Sequence, residues 1–200
     1  MREIYLLRHA QSEGNKLKIF QGKLDYPLSE EGKKQALRAG ETLKKLQLEV
    51  IYTSPQKRAY QTAELVAEKL KLPLKVEENL REISYGILEG RKHQEVENWE
   101  SYQRWLEDPV KNPLEGVENL FEAQKRFIEF LKKLSEERVL VVTHGGIIRI
   151  ALCTVGDIPL NRIWKFSIGN CSLSKVEIKN VESLKGKIKF VNLPTEGEIF

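Results

Sequence analysis

Two short apolar runs in this chain each deliver a histidine at their end. Ile4-Tyr5-Leu6-Leu7 leads into Arg8-His9, and Val139 to Val142 leads into Thr143-His144-Gly145-Gly146. If both runs are strands of one parallel sheet, both imidazoles sit outside carboxyl ends, where α/β sheets gather ligands. One such histidine alone reads equally well as a residue that satisfies a backbone group. Two in the same setting, one with an arginine beside it, favour a site. Arg58 adds a second cation. In Ser54-Pro55-Gln56-Lys57-Arg58 two positive side chains fall in the first turns of a helix, which is unfavourable by about 0.3–1 kcal/mol per charge. A bound anion would reverse that sign. Lys57 reads as bending into solvent, and Arg58 as the candidate. Glu82 lies between Arg81 and the turn at Gly86. It is a surface ion-pair residue unless it faces the histidines, where a desolvated carboxyl group would keep its proton near neutral pH and act as a general acid.

Two histidines, two arginines and one glutamate, without metal-ligand spacing, point to phosphoryl chemistry. Neutral imidazole is a good nucleophile toward phosphorus. Guanidinium groups offer forked donors matched to phosphate oxygens. Their field also lowers a histidine pKa and so keeps the nucleophile unprotonated. With enough cations around the phosphate, no metal or other cofactor is needed. The chain has no G-x-x-x-x-G-K-[ST], G-x-G-x-x-G or H-E-x-x-H, so nucleotide-cradling loops and zincin chemistry lack support.

The elements that must position these residues read as α/β with a mostly parallel sheet. Ile4 to Leu7 and Val139 to Val142 are continuously apolar, as strands covered on both faces are. A loop reaches to about Ser29, which caps a helix running to about Lys45, with Glu30 and Glu31 complementing its dipole. Val50 to Tyr52 is a strand. Ser54 and Pro55 read as the cap and first position of a helix reaching about Lys71. Leu74 to Val76 is a further strand. Residues 91–137 are mostly helical and broken near Pro109 and Pro113. Gly145-Gly146 opens a helix through about Thr154. Ser172 to Ile178 and Lys185 to Val191 alternate, as edge strands of the same sheet would.

The composition narrows the rest. The chain has 200 residues, 33 Lys plus Arg against 29 Asp plus Glu, and a formal net charge of +4. Those cations are spread among acids, which argues against nucleic-acid binding. No apolar run is long enough to span a membrane or to form a signal-peptide core. Two cysteines without a Cys-x-x-Cys pair exclude a zinc ribbon and a disulfide scaffold, and suit a reducing cytoplasm. Cys153 and Cys171 read as small interior hydrophobes.

The motifs, taken in order, resemble the histidine phosphatase superfamily, the phosphoglycerate mutase-like proteins, over nearly the whole chain. LLRHAQSEGN resembles the Arg-His signature, with Ala10 where Gly is usual. FQGKLDYPLSEEGKKQA resembles the segment after it, SPQKRAYQTAE the second-arginine motif, LREISYGILEG the acid-bearing motif and VVTHGG the second-histidine motif. The resemblance implies a single domain over 1–200: a three-layer sandwich of helices around a mostly parallel sheet, with a small helical lid inserted at about 91–137. It implies His9 as the nucleophile that becomes phosphohistidine. Arg8, Arg58 and His144 would hold phosphoryl oxygens, and Glu82 would protonate the leaving group and then activate water. Asn15, Gln21, Gly22 and Gly145 match positions that contact phosphate or substrate.

Two departures choose the branch. Glu82 is followed by Ile83-Ser84-Tyr85-Gly86 rather than the Arg-His-Tyr-Gly of mutases, and Gly146 stands where mutases tend to have Asn. Both differences, and the shortness of the chain, favour a phosphatase over a phosphoglycerate mutase. The branch resembled is that of the α-ribazole-phosphate, phosphoserine and broad-specificity phosphatases. The expected activity is metal-independent hydrolysis of a small phosphate ester. A silent phospholigand-binding module is a further alternative, against which the intact residue set argues. In the lid, Trp99, Tyr102 and Trp105 recur at helical spacing and either pack the lid on the core or touch the substrate. Glu118 either approaches the site or caps the next helix. His93, among charged neighbours, reads as a surface residue. C-terminal edge strands allow a homodimer.

Overall fold

The computed structural model describes residues 1–196. One six-stranded sheet has the order β3-β2-β4-β1-β5-β6. Its members are β1 (Arg2–Arg8), β2 (Val50–Thr53), β3 (Leu74–Val76), β4 (Arg138–Thr143), β5 (Ser172–Asn180) and β6 (Lys185–Pro194). The first four run parallel, β5 is antiparallel to β1, and β6 is antiparallel to β5.

The helices are α1 (Glu13–Lys16), α2 (Glu30–Leu43), α3 (Lys57–Leu70), α4 (His93–Val96), α5 (Glu100–Glu107), α6 (Leu120–Lys133) and α7 (Gly145–Val155). The continuous apolar strands explain the layering, because successive side chains of a strand point to opposite faces. Ile4, Leu6, Val139 and Val141 pack with Phe127, Phe130, Ile148 and Leu152 of α6 and α7. Tyr5, Leu7, Leu140 and Val142 pack with Ala36, Leu43, Ala63 and Val66 of α2 and α3. The sheet is thus sandwiched between two helical layers, and the expected three-layer α/β architecture is present. Cys153 and Cys171 are free and buried.

Four details differ from the sequence reading. Ser29 does cap α2, its hydroxyl accepting from the Gly32 N–H at 3.0 Å. Ser54 and Pro55, however, precede α3, which begins at Lys57 after an N-cap Gln56 that makes no side-chain cap. The cap comes from elsewhere: the Asp25 carboxylate accepts from the Lys57 N–H at 2.7 Å. Second, the loop after β1 holds a short helix, α1, closed by a capping box between Ser12 and Asn15.

Third, β5 is not an edge strand, since β6 lies outside it. Its alternation arises because Val176 and Ile178 join the α6–α7 core. Lys175, one residue earlier and on the opposite face, pairs with Glu3 at 2.6 Å. Fourth, α6 belongs to the main core through Phe127 and Phe130. The residues that form a separate small cluster are Phe20, Leu88, Val96, Trp105 and Leu114.

Candidate active site

β1 and β4 are neighbours in parallel register, with Arg8 opposite Thr143. Residues 9 and 144 therefore leave the sheet side by side. The His9 N–H donates to the Thr143 carbonyl at 2.9 Å, and the two imidazole centroids lie 5.3 Å apart. Their side-chain partners differ. His9 Nδ1 lies 2.8 Å from the Ala10 carbonyl oxygen, which only accepts, so Nδ1 carries the proton and Nε2 keeps its lone pair. His144 Nε2 meets the Ser54 hydroxyl at 2.8 Å, and its Nδ1 is buried without a partner. Burial holds both imidazoles well below the usual histidine range. The charges of Arg58 and Arg8 push both imidazoles further down.

The capping exchange at α3 explains how Arg58 reaches the site. With the helix started one turn after Ser54, Arg58 lies in its first turn and is 1% exposed. Its two terminal nitrogens donate to the Leu24 carbonyl at 2.7 Å and the Gly22 carbonyl at 2.9 Å. Arg8 donates in the same way to the Ile168 carbonyl at 2.6 Å. The Nε atoms of both arginines are left buried and unpartnered. Burial lowers both guanidinium pKa values, that of Arg8 to about 10. Both groups stay charged at neutral pH. Two buried guanidinium donors without acceptors are costly in a folded protein, and an anion beside them would satisfy them.

Glu82 reaches the site from the segment after a 3₁₀ turn at Glu78–Leu80. Its Oε2 accepts from the Gly146 N–H at 3.2 Å and its Oε1 from the Ile83 N–H at 2.9 Å. The loop carrying Gln21 and Gly22 is held by Glu89, whose Oε1 accepts from the main-chain N–H groups of Lys23 at 3.1 Å and Tyr85 at 2.9 Å. Gly22 has a left-handed φ of +48, and a Cβ there would meet Glu89 Oε1 at 2.2 Å. Asn15 Oδ1 accepts from the Ser12 N–H at 3.0 Å and from Asn170 Nδ2 at 3.0 Å.

Arg8, His9, Asn15, Gln21, Gly22, Arg58, Glu82 and Gly145 all line one cavity of 380 Å³. Of the residues expected to act on or hold the phosphoryl group, His144 alone is not in its wall; it is fully buried beside His9. Tyr102 and Trp105 line the cavity, whereas Trp99 does not and instead stacks on Arg91 at 5.0 Å. Glu118 stays outside it too. Its carboxylate pairs with Arg126 at 2.8 Å, and Asn119 is the residue that caps α6. His93 is exposed, as its charged neighbours suggested, and it also lines the cavity, lying against Phe20 with centroids 4.0 Å apart.

Sequence reasoning missed three positioning side chains. Gln56 accepts from the Glu82 N–H at 2.8 Å and donates to the Gly22 carbonyl at 2.8 Å, so one amide ties the acid to the Arg58 anchor. Asn170 donates to the His9 carbonyl at 3.2 Å. Arg149, one turn into α7, adds a third guanidinium to the wall. A helical Arg four residues after Gly145 was the one available signal, because i and i+4 share a helix face.

A sequence model of the histidine phosphatase superfamily (branch 1) matches residues 4–187. The chain belongs to this superfamily. Among relatives of this histidine phosphatase, "Putative phosphoserine phosphatase 2" of Hydrogenobacter thermophilus is 38% identical over 194 residues, covering 92% of this chain and 93% of the relative. Phosphoserine phosphatase 1 of the same organism is 36% identical over 185 residues, covering 90% and 88%. A mycobacterial glucosyl-3-phosphoglycerate phosphatase, solved with VO3, superposes with a TM-score of 0.88 at 28% identity, covering 96% of this histidine phosphatase and 100% of its own chain. No helix among the described residues is long and apolar enough to cross a membrane.

Proposed function

We propose that the chain hydrolyses small phosphate monoesters through a phosphohistidine at His9, without a metal. The observation that carries this is a pair of buried, unpartnered guanidinium donors, Arg8 Nε and Arg58 Nε, with the unpartnered His144 Nδ1, beside an imidazole whose Nδ1 proton is committed to the Ala10 carbonyl. In the first step His9 Nε2 forms a bond to phosphorus as the ester P–O bond breaks. Glu82 gives its proton to the departing alcohol oxygen. Arg8, Arg58 and His144 hold the phosphoryl oxygens, with Asn15, Gln21, Gly22 and the helix start at Gly145 around them. In the second step water loses a proton to Glu82 as its oxygen bonds to phosphorus and the N–P bond breaks. Inorganic phosphate leaves, and both residues return to their starting forms.

The relatives' names make phosphoserine the first ester to try. The whole chain acts as one catalytic unit, with the aromatic segment bearing Tyr102 and Trp105 as its cover. Two free, buried cysteines suit a reducing cytoplasm, and β6, the outermost strand among the described residues, offers a pairing surface for a second copy.

The test is p-nitrophenyl phosphate hydrolysis with EDTA present, combined with intact mass measurement of enzyme quenched in alkali. The expected result is chelator-resistant turnover and a gain of one phosphoryl group, both lost in His9→Ala. Abolition by EDTA, or turnover that survives His9→Ala, overturns the reading. With phosphoglycerates, phosphate release should outpace isomer interconversion; the reverse would make the chain a mutase.

A further inference from the structure

We propose that Arg149 forms a second anion subsite, and that the alcohol part of the physiological ester carries a carboxylate. This rests on the phosphatase reading above and adds the substrate class.

The cavity wall holds three guanidinium groups, those of Arg8, Arg58 and Arg149, and a single carboxylate, Glu82. Arg8 and Arg58 face the histidines with buried Nε donors. Arg149 is oriented differently. Its Nε is spent on the Phe166 carbonyl at 2.8 Å, and its guanidinium lies 5.5 Å from the Trp164 ring centroid. The backbone bond and the indole hold the fork in one pose, which leaves the terminal nitrogens to the cavity. Among the described residues no carboxylate pairs with it.

Its position separates it from the phosphoryl floor only slightly. A Cβ built on Gly145 would lie 3.0 Å from Arg149 Nη1 and 3.6 Å from Arg8 Nε. Two like charges therefore flank the start of α7, an arrangement that repels until anions enter. The phosphoryl group already has Arg8, Arg58 and His144 as donors. Arg149 is free to take a second acceptor, one covalently close to the phosphate. A carboxylate two or three bonds from the ester oxygen meets that need. The remaining wall, Phe20, Tyr102, Trp105, Leu106 and Trp164, encloses the short carbon body. A guanidinium fork is matched to a carboxylate's two oxygens.

The experiment compares kcat/KM for O-phosphoserine with that for O-phosphoethanolamine, which lacks only the carboxylate, and for p-nitrophenyl phosphate. Wild type should favour phosphoserine over phosphoethanolamine by about tenfold or more. In Arg149→Gln the loss on phosphoserine should exceed the loss on the other two esters by about tenfold, and Arg149→Lys should restore part of that ratio. Equal losses on all three esters would make Arg149 a phosphoryl ligand and overturn the subsite. An unchanged ratio would overturn it as well. If Arg149→Gln does not fold, absence of the preference in wild type decides against the proposal. Failure of the phosphatase reading looks different, since wild type would then hydrolyse none of the three.

Discussion

Gly146 and Glu82 are in contact so close that a side chain at position 146 would displace the carboxyl group. The glycine N–H donates to Glu82 Oε2 at 3.2 Å, and a Cβ on Gly146 would lie 2.3 Å from Glu82 Oε1. The second glycine after His144 thus makes room for the acid that arrives from another part of the chain. Gly146→Ala should push the carboxyl out of line while leaving His9 and the arginines in place. Positioned general acids contribute about 10²–10⁴-fold. The variant should lose most of that range on alkyl phosphates, and much less on p-nitrophenyl phosphate, whose leaving group needs little protonation. Steady-state kinetics on both esters check this; equal losses would mean that the alanine disturbs the phosphoryl floor.

Acid should unfold the protein through its histidines. His9 and His144 are held well below 6.5, the ordinary value they regain on unfolding. Below pH 6.5 the unfolded chain therefore binds protons that the folded chain refuses. Their contribution to stability is complete above pH 6.5 and is lost as the pH falls beneath it. Each group contributes up to about 1.4 kcal/mol per pH unit. Calorimetry between pH 7 and 5 should show a falling Tm, and His9→Asn should flatten the slope. A slope indifferent to that substitution would assign the effect to other groups.

Arg58→Lys keeps the charge and removes the fork. Lysine cannot hold the Leu24 and Gly22 carbonyls while also offering a donor to phosphate. A loss of about 10²–10³-fold in kcat/KM is expected, the scale seen when one oxyanion donor is removed. A fall in the urea midpoint should accompany it, because carbonyls buried without partners cost about 1–3 kcal/mol each. Activity near wild type would mean that charge alone suffices.

Gln56 touches no substrate in the proposed mechanism, yet it joins the Glu82 main chain to the Gly22 carbonyl. Gln56→Leu should lower stability by about 1–3 kcal/mol by leaving a buried N–H unsatisfied. As Glu82 loses its anchor, kcat should fall more than KM rises. Gln56→Glu retains the acceptor for the Glu82 N–H and should recover part of the loss. A purely thermal effect with unchanged kcat would reduce Gln56 to a structural residue.

The sequence exposed those parts of the fold whose signals are local. Ile4 to Leu7 and Val139 to Val142 read as buried strands because both of their faces are covered. Ser29 read as a cap because its partner Gly32 is three residues away. The convergence of Arg8, His9, Arg58, Glu82 and Gly145 on one cavity followed from strand ends and ordered motifs. What escaped was held by distant partners. Asp25 caps α3 from another loop, which no pattern around Ser54 reveals. His93 sits among charges, and only the stacking on Phe20 brings it into the cavity wall. Gln56 and Asn170 work through amide bonds to backbone far away in sequence. The helical periodicity of α6 looks the same whether its apolar face meets a lid or a sheet, so its place in the main core has no local signal.

The proton on His9 is placed by the carbonyl of the very next residue. The acceptor is main chain, so truncating a side chain elsewhere does not remove it, and Nε2, the attacking atom of the proposed mechanism, keeps its lone pair. Substitutions in the aromatic rim and at Arg149 therefore leave that acceptor in place, so the pocket for the alcohol can be altered without touching the tautomer of His9.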